Sequence, residues 1–203
     1  MSLRERISTL LELRPLLKLK KDLAPAPPET RDSVAARMEA TAGKYAQREA
    51  VVFEGRSVTW GELNAEVNRT AHALKARGIG RGDAVALMME NRIEFLVCWL
   101  ALNKIGGIAA MINTNLTGGS LTHCMKIANS RMCIFGEERL DPIADVRDNP
   151  DLAGIEAWLY VADSGQSKCP DWASDLMAEA ANCDSANPPD TQERTHSDTA
   201  LYI

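Results

Sequence analysis

The sequence lacks the features that mark several large classes of protein. Its five cysteines include no Cys-x-x-Cys pair and its three histidines form no His-x-x-x-His motif, so the pattern indicates neither a zinc site nor a disulfide framework. The longest purely apolar run covers residues 95–102, whereas a helix that spans a bilayer needs about 20 apolar residues. Residues 1–23 carry scattered charges instead of the apolar centre of a secretory signal peptide. These absences favour a reduced, cytoplasmic environment.

Basic charge is scarce in the last third of the chain. Residues 137–203 contain four basic and fifteen acidic side chains, whereas residues 24–136 contain thirteen basic and ten acidic ones. A broad nucleic-acid surface needs clustered lysine and arginine to replace the counterions of the phosphate backbone. The distribution therefore predicts that nucleic acid is not a partner.

The chain divides into a short N-terminal segment, residues 1–30, and one domain, residues 31–203. Residues 3–23 have the leucine spacing of an amphipathic helix with six basic and three acidic groups, and the proline-rich residues 24–30 predict a linker. The simpler interpretation is a helix packed on its own domain. The alternative is that residues 1–23 contact a partner or a membrane surface, in which case they would lie peripherally on the inner face of the membrane.

From residue 31 onward, apolar strand patterns alternate with helical ones. Two β-branched runs joined at Glu54-Gly55-Arg56 predict a hairpin, and Gly78 and Gly106 predict the ends of two helices. The remaining segments separate into two groups. Strands are predicted at 84–89, 108–112, 132–135, 155–161 and 199–203. Helices are predicted at 32–47, 62–77, 92–104, 120–128, 137–147 and 171–181. This order predicts an α/β fold with a mostly parallel sheet and flanking helices.

Ligands of parallel α/β sheets bind at the carboxyl ends of the strands, so the loops there are the first candidates for a site. The segment 113–120 is rich in small, amide and hydroxyl residues before a helix start, which can present backbone amides to an anion. Its binding candidates are Asn113, Thr114, Asn115 and Thr117, and helix capping without any ligand is the alternative interpretation.

The other loop with a recognisable pattern, Glu90-Asn91-Arg92, is interpreted as a helix cap. Asn91 is the predicted N-cap, Glu94 has the capping-box spacing, and a surface salt bridge completes the interpretation. No phosphate-binding GxxxxGK[ST] motif and no G-x-S-x-G elbow is present. We therefore assign no catalytic residue and no metal ligand from the residues alone.

Two longer stretches of the chain resemble a known enzyme family. The stretch SVTWGELNAEVNRTAHALKARGIGRGDAVALMMENRIEFLVCWLALNKIGGIAAMINTN (57–115) is similar to the opening pattern of adenylate-forming enzymes, the acyl-CoA synthetase and luciferase superfamily. The stretch INTNLTGGSLTHC (112–124) resembles the fatty-acid transport protein type of long- and very-long-chain acyl-CoA synthetases, in which Asn-Thr-Asn replaces a proline-containing version. The resemblance covers residues 31–203 and implies the N-terminal subdomain of that fold.

The resemblance implies a reaction of fatty acid, ATP and CoA that gives acyl-CoA, AMP and pyrophosphate, with Mg²⁺ as the metal. In that family the phosphate-binding loop follows a strand similar to Thr199–Ile203, at which this sequence ends. The expectation is an N-terminal fragment that is inactive on its own and binds none of these ligands tightly. The alternatives are a subunit of a split synthetase, a non-catalytic membrane- or partner-binding module, and a truncated product. The final strand, if its edge is exposed, predicts self-association.

Overall fold

The computed structural model describes residues 26–203, so the predicted helix at residues 3–23 lies outside the described residues. The α-helices are α1 (Val34–Tyr45), α2 (Trp60–Ala76), α3 (Ile93–Ile105), α4 (Gly118–Ile127), α5 (Leu140–Val146) and α6 (Leu176–Ala180). The strands are β1 (Glu49–Phe53), β2 (Arg56–Thr59), β3 (Ala84–Met88), β4 (Ile108–Met111), β5 (Met132–Gly136), β6 (Ala157–Val161), β7 (Ser174–Asp175) and β8 (Leu201–Tyr202). Short 3₁₀ helices cover Glu137–Arg139, Pro150–Leu152 and Pro189–Glu193.

The main sheet has six parallel strands in the order β7-β6-β5-β3-β4-β8. Strand β3 lies at its centre with all five residues buried, as expected for a strand covered by helices on both faces. Strands β1 and β2 form a separate antiparallel hairpin, in which Glu54 and Gly55 take positive φ angles of 47° and 79°. The predicted α/β class and the hairpin are confirmed.

Each face of the sheet has its own apolar core because successive side chains of a strand point to opposite faces. Val85 and Leu87 of β3 belong to a cluster with α2, α3 and α6, whereas Ala86 and Met88 belong to a cluster with α4 and α5. The buried helix α3 belongs to the first cluster through Val97 and neighbouring residues. Within residues 26–203, no helix is both long and apolar enough to cross a membrane.

Several helix ends have the sequence signals that predict them. Thr59 caps α2 in a full capping box with Glu62, whose carboxylate accepts from the Thr59 backbone amide at 2.8 Å. Gly78 and Gly106 follow the ends of α2 and α3, as predicted, and both have left-handed φ angles, of 87° and 84°. The boundaries of these helices therefore follow from local sequence.

Two segments differ from the prediction. The expected helix at 171–181 is a two-residue strand, β7, followed by the short helix α6, which Asp175 caps by accepting from the Ala178 amide at 3.0 Å. A strand of two residues shows no alternation that a sequence pattern can detect. The polar connector at 183–198 also contains the 3₁₀ helix Pro189–Glu193.

A buried polar network fastens this connector to the helices. The Lys104 ammonium group is fully buried and donates to Glu39 at 2.5 Å, to the side-chain oxygen of Asn64 at 3.0 Å and to that of Asn187 at 3.2 Å. Gln192 donates to the other oxygen of Glu39 at 3.0 Å. Although Lys104 is buried, Glu39 and the two amide oxygens give its charge several partners. The connector that leads to β8 is thereby held against α1 and α3.

Candidate functional site

The topology creates a crevice beside β3 at the carboxyl edge of the sheet. The helix that follows β3 belongs to one face, whereas the helices that follow β4 and β5 belong to the other. Loops that leave adjacent strands toward opposite faces separate from each other, and ligands of open α/β sheets bind in the resulting crevice. The loops after β3, β4, β5 and β6 are therefore the ones that define the candidate site.

The β4 loop, residues 112–117, contains the four residues proposed from sequence. Asn113 folds the loop on itself, because its side-chain oxygen accepts from the Asn115 amide at 2.9 Å and its carbonyl accepts from the Leu116 amide at 3.1 Å. The carbonyl of Thr114 accepts from Arg139 at 3.0 Å. The structure therefore places Asn113, Thr114, Asn115 and Thr117 in one compact turn at the carboxyl edge.

The start of α4 is open at this turn. Thr117 is the N-cap residue, but its side chain makes no capping hydrogen bond, and Gly118, Gly119 and Ser120 are exposed in the first turn. The first four amides of a helix have no partner within the helix. Because these residues are small and exposed, their amides can reach a negatively charged group. Thr117 is thus the N-cap residue by its position, without a side-chain capping bond.

An apolar groove of 490 Å³ adjoins the β4 loop, between α4 and the edge strand β8. Its lining is mostly aliphatic, with Asn113 as the polar member next to the loop. The lining residues are Ala110, Met111, Ile112, Asn113, Leu116, Cys124, Ile127, Ala128, Tyr202 and Ile203. Ile127 is 70% exposed and Tyr202 is 44% exposed, so the groove is open to solvent. A polar turn next to an apolar groove suits a ligand with an anionic or polar end and an apolar body.

The β3 loop does not follow the predicted capping pattern. The N-cap of α3 is Arg92 and not Asn91, and it makes no side-chain capping bond, so the predicted Asn91–Glu94 capping box is wrong. The Arg92 side chain is 5% exposed and donates to Glu138 at 2.7 Å and to the carbonyls of Val161 and Ala162 at 3.1 and 3.3 Å. The salt bridge of Arg92, expected at the surface, thus involves a buried arginine. It connects the β3 loop to the loops that follow β5 and β6.

Two neighbouring carboxylates complete this connection. Glu138 also accepts from the Glu90 amide at 2.8 Å, and its side chain occupies the space that a Cβ atom at Gly136 would need. Glu137 accepts from the amides of Asp163, Gly165 and Ser167 at 2.7, 3.0 and 2.6 Å. Burial alone raises the pKa of Glu137, but these amide bonds outweigh burial and lower its pKa to about 2. Glu137 is therefore an ionised anchor for the β6 loop and not a general acid.

Among the described residues, Cys124 is the cysteine that lines the apolar groove, and no histidine lines it. His72 contacts the carbonyl of Ala186 at 3.0 Å, and His196 lies 3.5 Å from Asp32 near the amino edge of the sheet. Burial raises the pKa of the Cys98 thiol to about 12 and also raises the pKa of the Cys133 thiol, so these thiols are not nucleophiles. Among residues 26–203, no group of three or more His, Cys, Asp or Glu side chains is placed to hold a metal ion.

Sequence reasoning placed Arg92 only in a helix cap with a surface salt bridge, and it missed Glu137, Glu138 and Arg139 as residues that order the crevice. Arg139 pairs with Glu90 at 2.7 Å and donates to Thr114, so it connects the β3 and β4 loops through the β5 loop. The signal available in the sequence was the adjacency of Glu137-Glu138-Arg139 to the end of a buried strand. No local pattern identifies the hydrogen-bond partners of these four residues, because those partners lie 25–70 residues away along the chain.

Comparison with known proteins gives one family match and several partial relatives. The family model described as AMP-binding enzyme matches residues 38–203. The chain is 33% identical over 104 residues to the long-chain fatty acid transport protein 6 of Mus musculus, which covers 51% of this chain and 17% of that protein. It is 43% identical over 82 residues to the crotonobetaine/carnitine–CoA ligase of Salmonella typhimurium, covering 38% of this chain and 16% of the ligase. The chain thus spans about a sixth of the length of these relatives.

Solved structures share the fold. The anthranilate CoA ligase AuaEII in complex with anthranoyl-AMP has a TM-score of 0.71 at 20% identity, over 79% of this chain and 30% of the ligase. A fatty acyl CoA synthetase of Mycobacterium tuberculosis has a TM-score of 0.66 at 25% identity, over 76% of this chain and 29% of that protein. The first is named a CoA ligase and the second a fatty acyl CoA synthetase. The described domain therefore has the fold found in CoA ligases.

Proposed function

The chain belongs to the AMP-binding enzyme family, as its resemblance predicted, and from this premise we propose that it forms the N-terminal part of a long-chain or very-long-chain fatty-acyl-CoA ligase. The proposal rests on one structural observation, namely the polar β4 loop next to an apolar groove at the carboxyl edge of the sheet. The groove suits an acyl chain, and the open start of α4 suits the anionic group at the end of that chain.

The proposed reaction has two steps. A fatty-acid carboxylate oxygen attacks the α-phosphorus of ATP, forming an acyl-adenylate and releasing pyrophosphate. The sulfur of CoA then attacks the acyl carbon, AMP leaves with the bonding electron pair, and the thiol gives up its proton. Both steps develop charge on phosphate oxygens, which needs amides and cations for stabilisation. The start of α4 would contribute amides, while the groove lining includes no lysine or arginine.

Magnesium would supply charge neutralisation on the phosphates in this reaction. The described residues do not provide a ligand group for it, since residues 26–203 contain no suitable cluster of three His, Cys, Asp or Glu side chains. No step of the proposed reaction is therefore assigned to a metal held by these residues. We propose that the 203-residue chain requires further residues for turnover, whether these belong to one polypeptide or to a complementing subunit.

The composition of the groove favours a fatty acid over crotonobetaine or carnitine as the substrate. Crotonobetaine and carnitine carry a trimethylammonium group, which proteins recognise with carboxylates or a cage of aromatic rings. The described residues that line the groove include no aspartate or glutamate and one aromatic side chain, Tyr202. An alkyl chain needs only apolar contacts of the kind that Met111 and Ile127 offer.

Equilibrium binding of palmitate to the 203-residue chain, by competition with a fluorescent fatty acid, tests this assignment. Ile127→Asp places a carboxylate in the groove and is expected to weaken palmitate binding about tenfold or more. Val52→Asp is the matched control, because Val52 is also an exposed apolar residue, at 64%, but lies on the hairpin. Equal losses in the two variants, or carnitine binding in place of palmitate, would contradict the proposal.

Pyrophosphate release tests the second part of the proposal. The 203-residue chain with ATP, Mg²⁺ and palmitate is expected to release no more pyrophosphate than a heat-denatured sample. Turnover above that background would show that these residues are sufficient. Restoration of turnover by a separately expressed chain that carries the remaining family motifs would support the arrangement as a split enzyme.

We also propose a peripheral membrane contact through residues 1–23 and a cytoplasmic location for the rest of the chain. The support is the basic, leucine-rich sequence of that segment and the resemblance to a fatty acid transport protein. Flotation with anionic liposomes is expected for the full chain and not for a variant that lacks residues 1–23. Equal flotation of the two would refute the contact.

Self-association through the edge of the sheet is a further part of the proposal. Strand β8 pairs with β4 along one side and is the last strand of the sheet, and Tyr202 and Ile203 are exposed. Unpaired strand edges with apolar side chains favour pairing between chains. Sedimentation at micromolar concentration is expected to show species larger than a monomer, and Tyr202→Lys is expected to reduce them. A monomer at all concentrations would contradict this.

A further inference from the structure

A second cavity lies at the amino edge of the sheet, at the opposite ends of the strands from the candidate site. This amino-edge cavity has a volume of 240 Å³ and lies between the start of α1 and the segment 194–200 that precedes β8. Its chemistry differs from that of the apolar groove, because Arg37, Arg194, His196, Asp32 and Asp198 all line it.

Arg194 is the side chain in this wall that the protein leaves incompletely paired. It is 4% exposed, its Nε atom has no hydrogen-bond partner among the described residues, and its closest carboxylate oxygen, on Asp198, lies 3.5 Å from its terminal nitrogen. Asp198 is itself engaged by Arg81 at 2.7 Å and by the Thr195 amide at 2.7 Å. Burial lowers the pKa of Arg194, as expected for a cation that its neighbours neutralise only in part.

The Arg194 guanidinium packs closely against the backbone of a glycine, Gly106. Gly106 has a φ angle of 84°, and a Cβ atom at this position would collide with the Arg194 guanidinium. A glycine is therefore needed there both for the backbone conformation and for the close approach of the arginine. This packing fixes the guanidinium group in the wall of the cavity.

The start of α1 supplies a second, independent source of positive potential. Ser33 is the N-cap of this twelve-residue helix, and Ser33 and Val34 both line the cavity. The Ala35 amide donates to Asn103 and the Ala36 amide to Ser33, and the first turn of the helix contains no acidic residue. The helix dipole favours an anion at this end.

The two aspartates that line the cavity each have an arginine other than Arg194 as their nearest ion-pair partner. Asp32 is held by Arg37 through paired hydrogen bonds, which lower its pKa to about 2, and Asp198 is held by Arg81. Asp32 thus lies against Arg37, and Asp198 lies closer to Arg81 than to Arg194, so Arg194 is the least compensated of these three arginines. We propose that the amino-edge cavity binds a small oxyanion of the phosphate class, held by Arg194, Arg37 and the start of α1.

An anion in this cavity would connect parts of the chain that are far apart in sequence. Backbone bonds already join the two walls, because the His196 amide donates to the Thr30 carbonyl and the Ser197 amide to the Pro28 carbonyl, each at 3.0 Å. Bound phosphate would add a charged connection between α1 and the segment that leads into β8. The expected effect is a folded domain that is more stable in phosphate than in chloride.

Calorimetric titration of the 203-residue chain with inorganic phosphate, at constant ionic strength against chloride, tests the proposal. Arg37→Gln removes an exposed cation from the wall and leaves Asp32 uncompensated, so it is expected to weaken binding about fivefold or more. Lys44→Gln is the matched control, because it removes one positive charge from the last turn of the same helix; its expected effect is less than about twofold.

Asp32→Asn separates a binding role from a structural one. The substitution removes a negative charge from the wall, so phosphate is expected to bind about threefold tighter or more even if the domain becomes less stable. Arg194→Gln is expected to abolish phosphate binding. If that variant does not fold, the Arg37→Gln and Asp32→Asn variants decide whether the cavity binds phosphate. Phosphate binding that equals chloride binding, or that is the same in wild type, Arg37→Gln and Asp32→Asn, would overturn the proposal.

Discussion

The loops at the carboxyl edge of the sheet fall into two kinds. The β3, β5 and β6 loops are tied to one another by Arg92, Glu137 and Glu138, whose charged groups are bonded to backbone atoms of distant segments. The β4 loop has bonds of its own and one from Arg139, but the start of α4 beside it has no side-chain cap. The difference indicates that one part of the edge is a fixed frame and the other is available to a ligand.

The largest expected effect comes from removing the centre of the fixed frame. Arg92→Ala breaks the ion pair of a buried arginine and leaves one Glu138 oxygen and the carbonyls of Val161 and Ala162 without this donor, which should destabilise the domain by about 3–5 kcal/mol. Urea denaturation measures the change in the free energy of unfolding. Arg31→Ala, at an exposed position, is the control with an expected change of less than about 0.5 kcal/mol. Similar changes in the free energy of unfolding for the two variants would show that the fixed frame does not contribute to the stability of the domain.

A smaller effect with a characteristic pH dependence is expected for the anchor of the β6 loop. Glu137→Gln weakens three bonds from backbone amides to a charged acceptor, which should cost about 2 kcal/mol at neutral pH. In the wild-type domain, folding lowers the pKa of the Glu137 carboxyl from an ordinary 4.5 to about 2. The stabilisation by this carboxylate is therefore present above pH 4.5 and is lost as the pH falls toward 2.

The pH dependence is measured as the difference in unfolding free energy between wild type and Glu137→Gln. This difference should be constant near neutral pH and should shrink as the pH falls from about 5. Asp141→Asn is a control of equal charge change, since Asp141 lies nearby in the first turn of α5. A difference that stays constant down to about pH 3 would mean that the Glu137 carboxylate is not the stabilising form.

The smallest effect compares two threonines at the N-caps of helices. Thr59 makes the capping box of α2, so Thr59→Ala should cost about 1 kcal/mol. Thr117 makes no capping bond at α4, so Thr117→Ala should change stability by less than about 0.3 kcal/mol. Thermal unfolding of the two variants provides the measurement. A cost at Thr117 as large as that at Thr59 would show that α4 is capped in solution and would weaken the case for an open amide site.

Much of the fold was predictable because its signals are local. The spacing of Leu63, Val67 and Leu74 predicts the buried face of α2, and Gly78 and Gly106 predict where α2 and α3 end. The β4 loop was also found, since small and amide residues after a strand are a recognisable pattern. Its partner, the apolar groove, was not predicted, because Ile127 and Tyr202 come together only when β8 pairs with β4.

The sequence by itself determined the alternation of strands and helices, the class of the fold and the family. Hydrophobic periodicity and glycine positions act over a few residues, and they do not depend on where distant segments lie. The tertiary structure alone decided the environments of Arg92, Lys104 and Arg194. All three are buried, Arg92 and Lys104 with ion-pair partners from other elements and Arg194 against Gly106. A charged side chain is expected at the surface when only the sequence is known, and only the folded chain shows whether opposite charges and carbonyls have replaced its water.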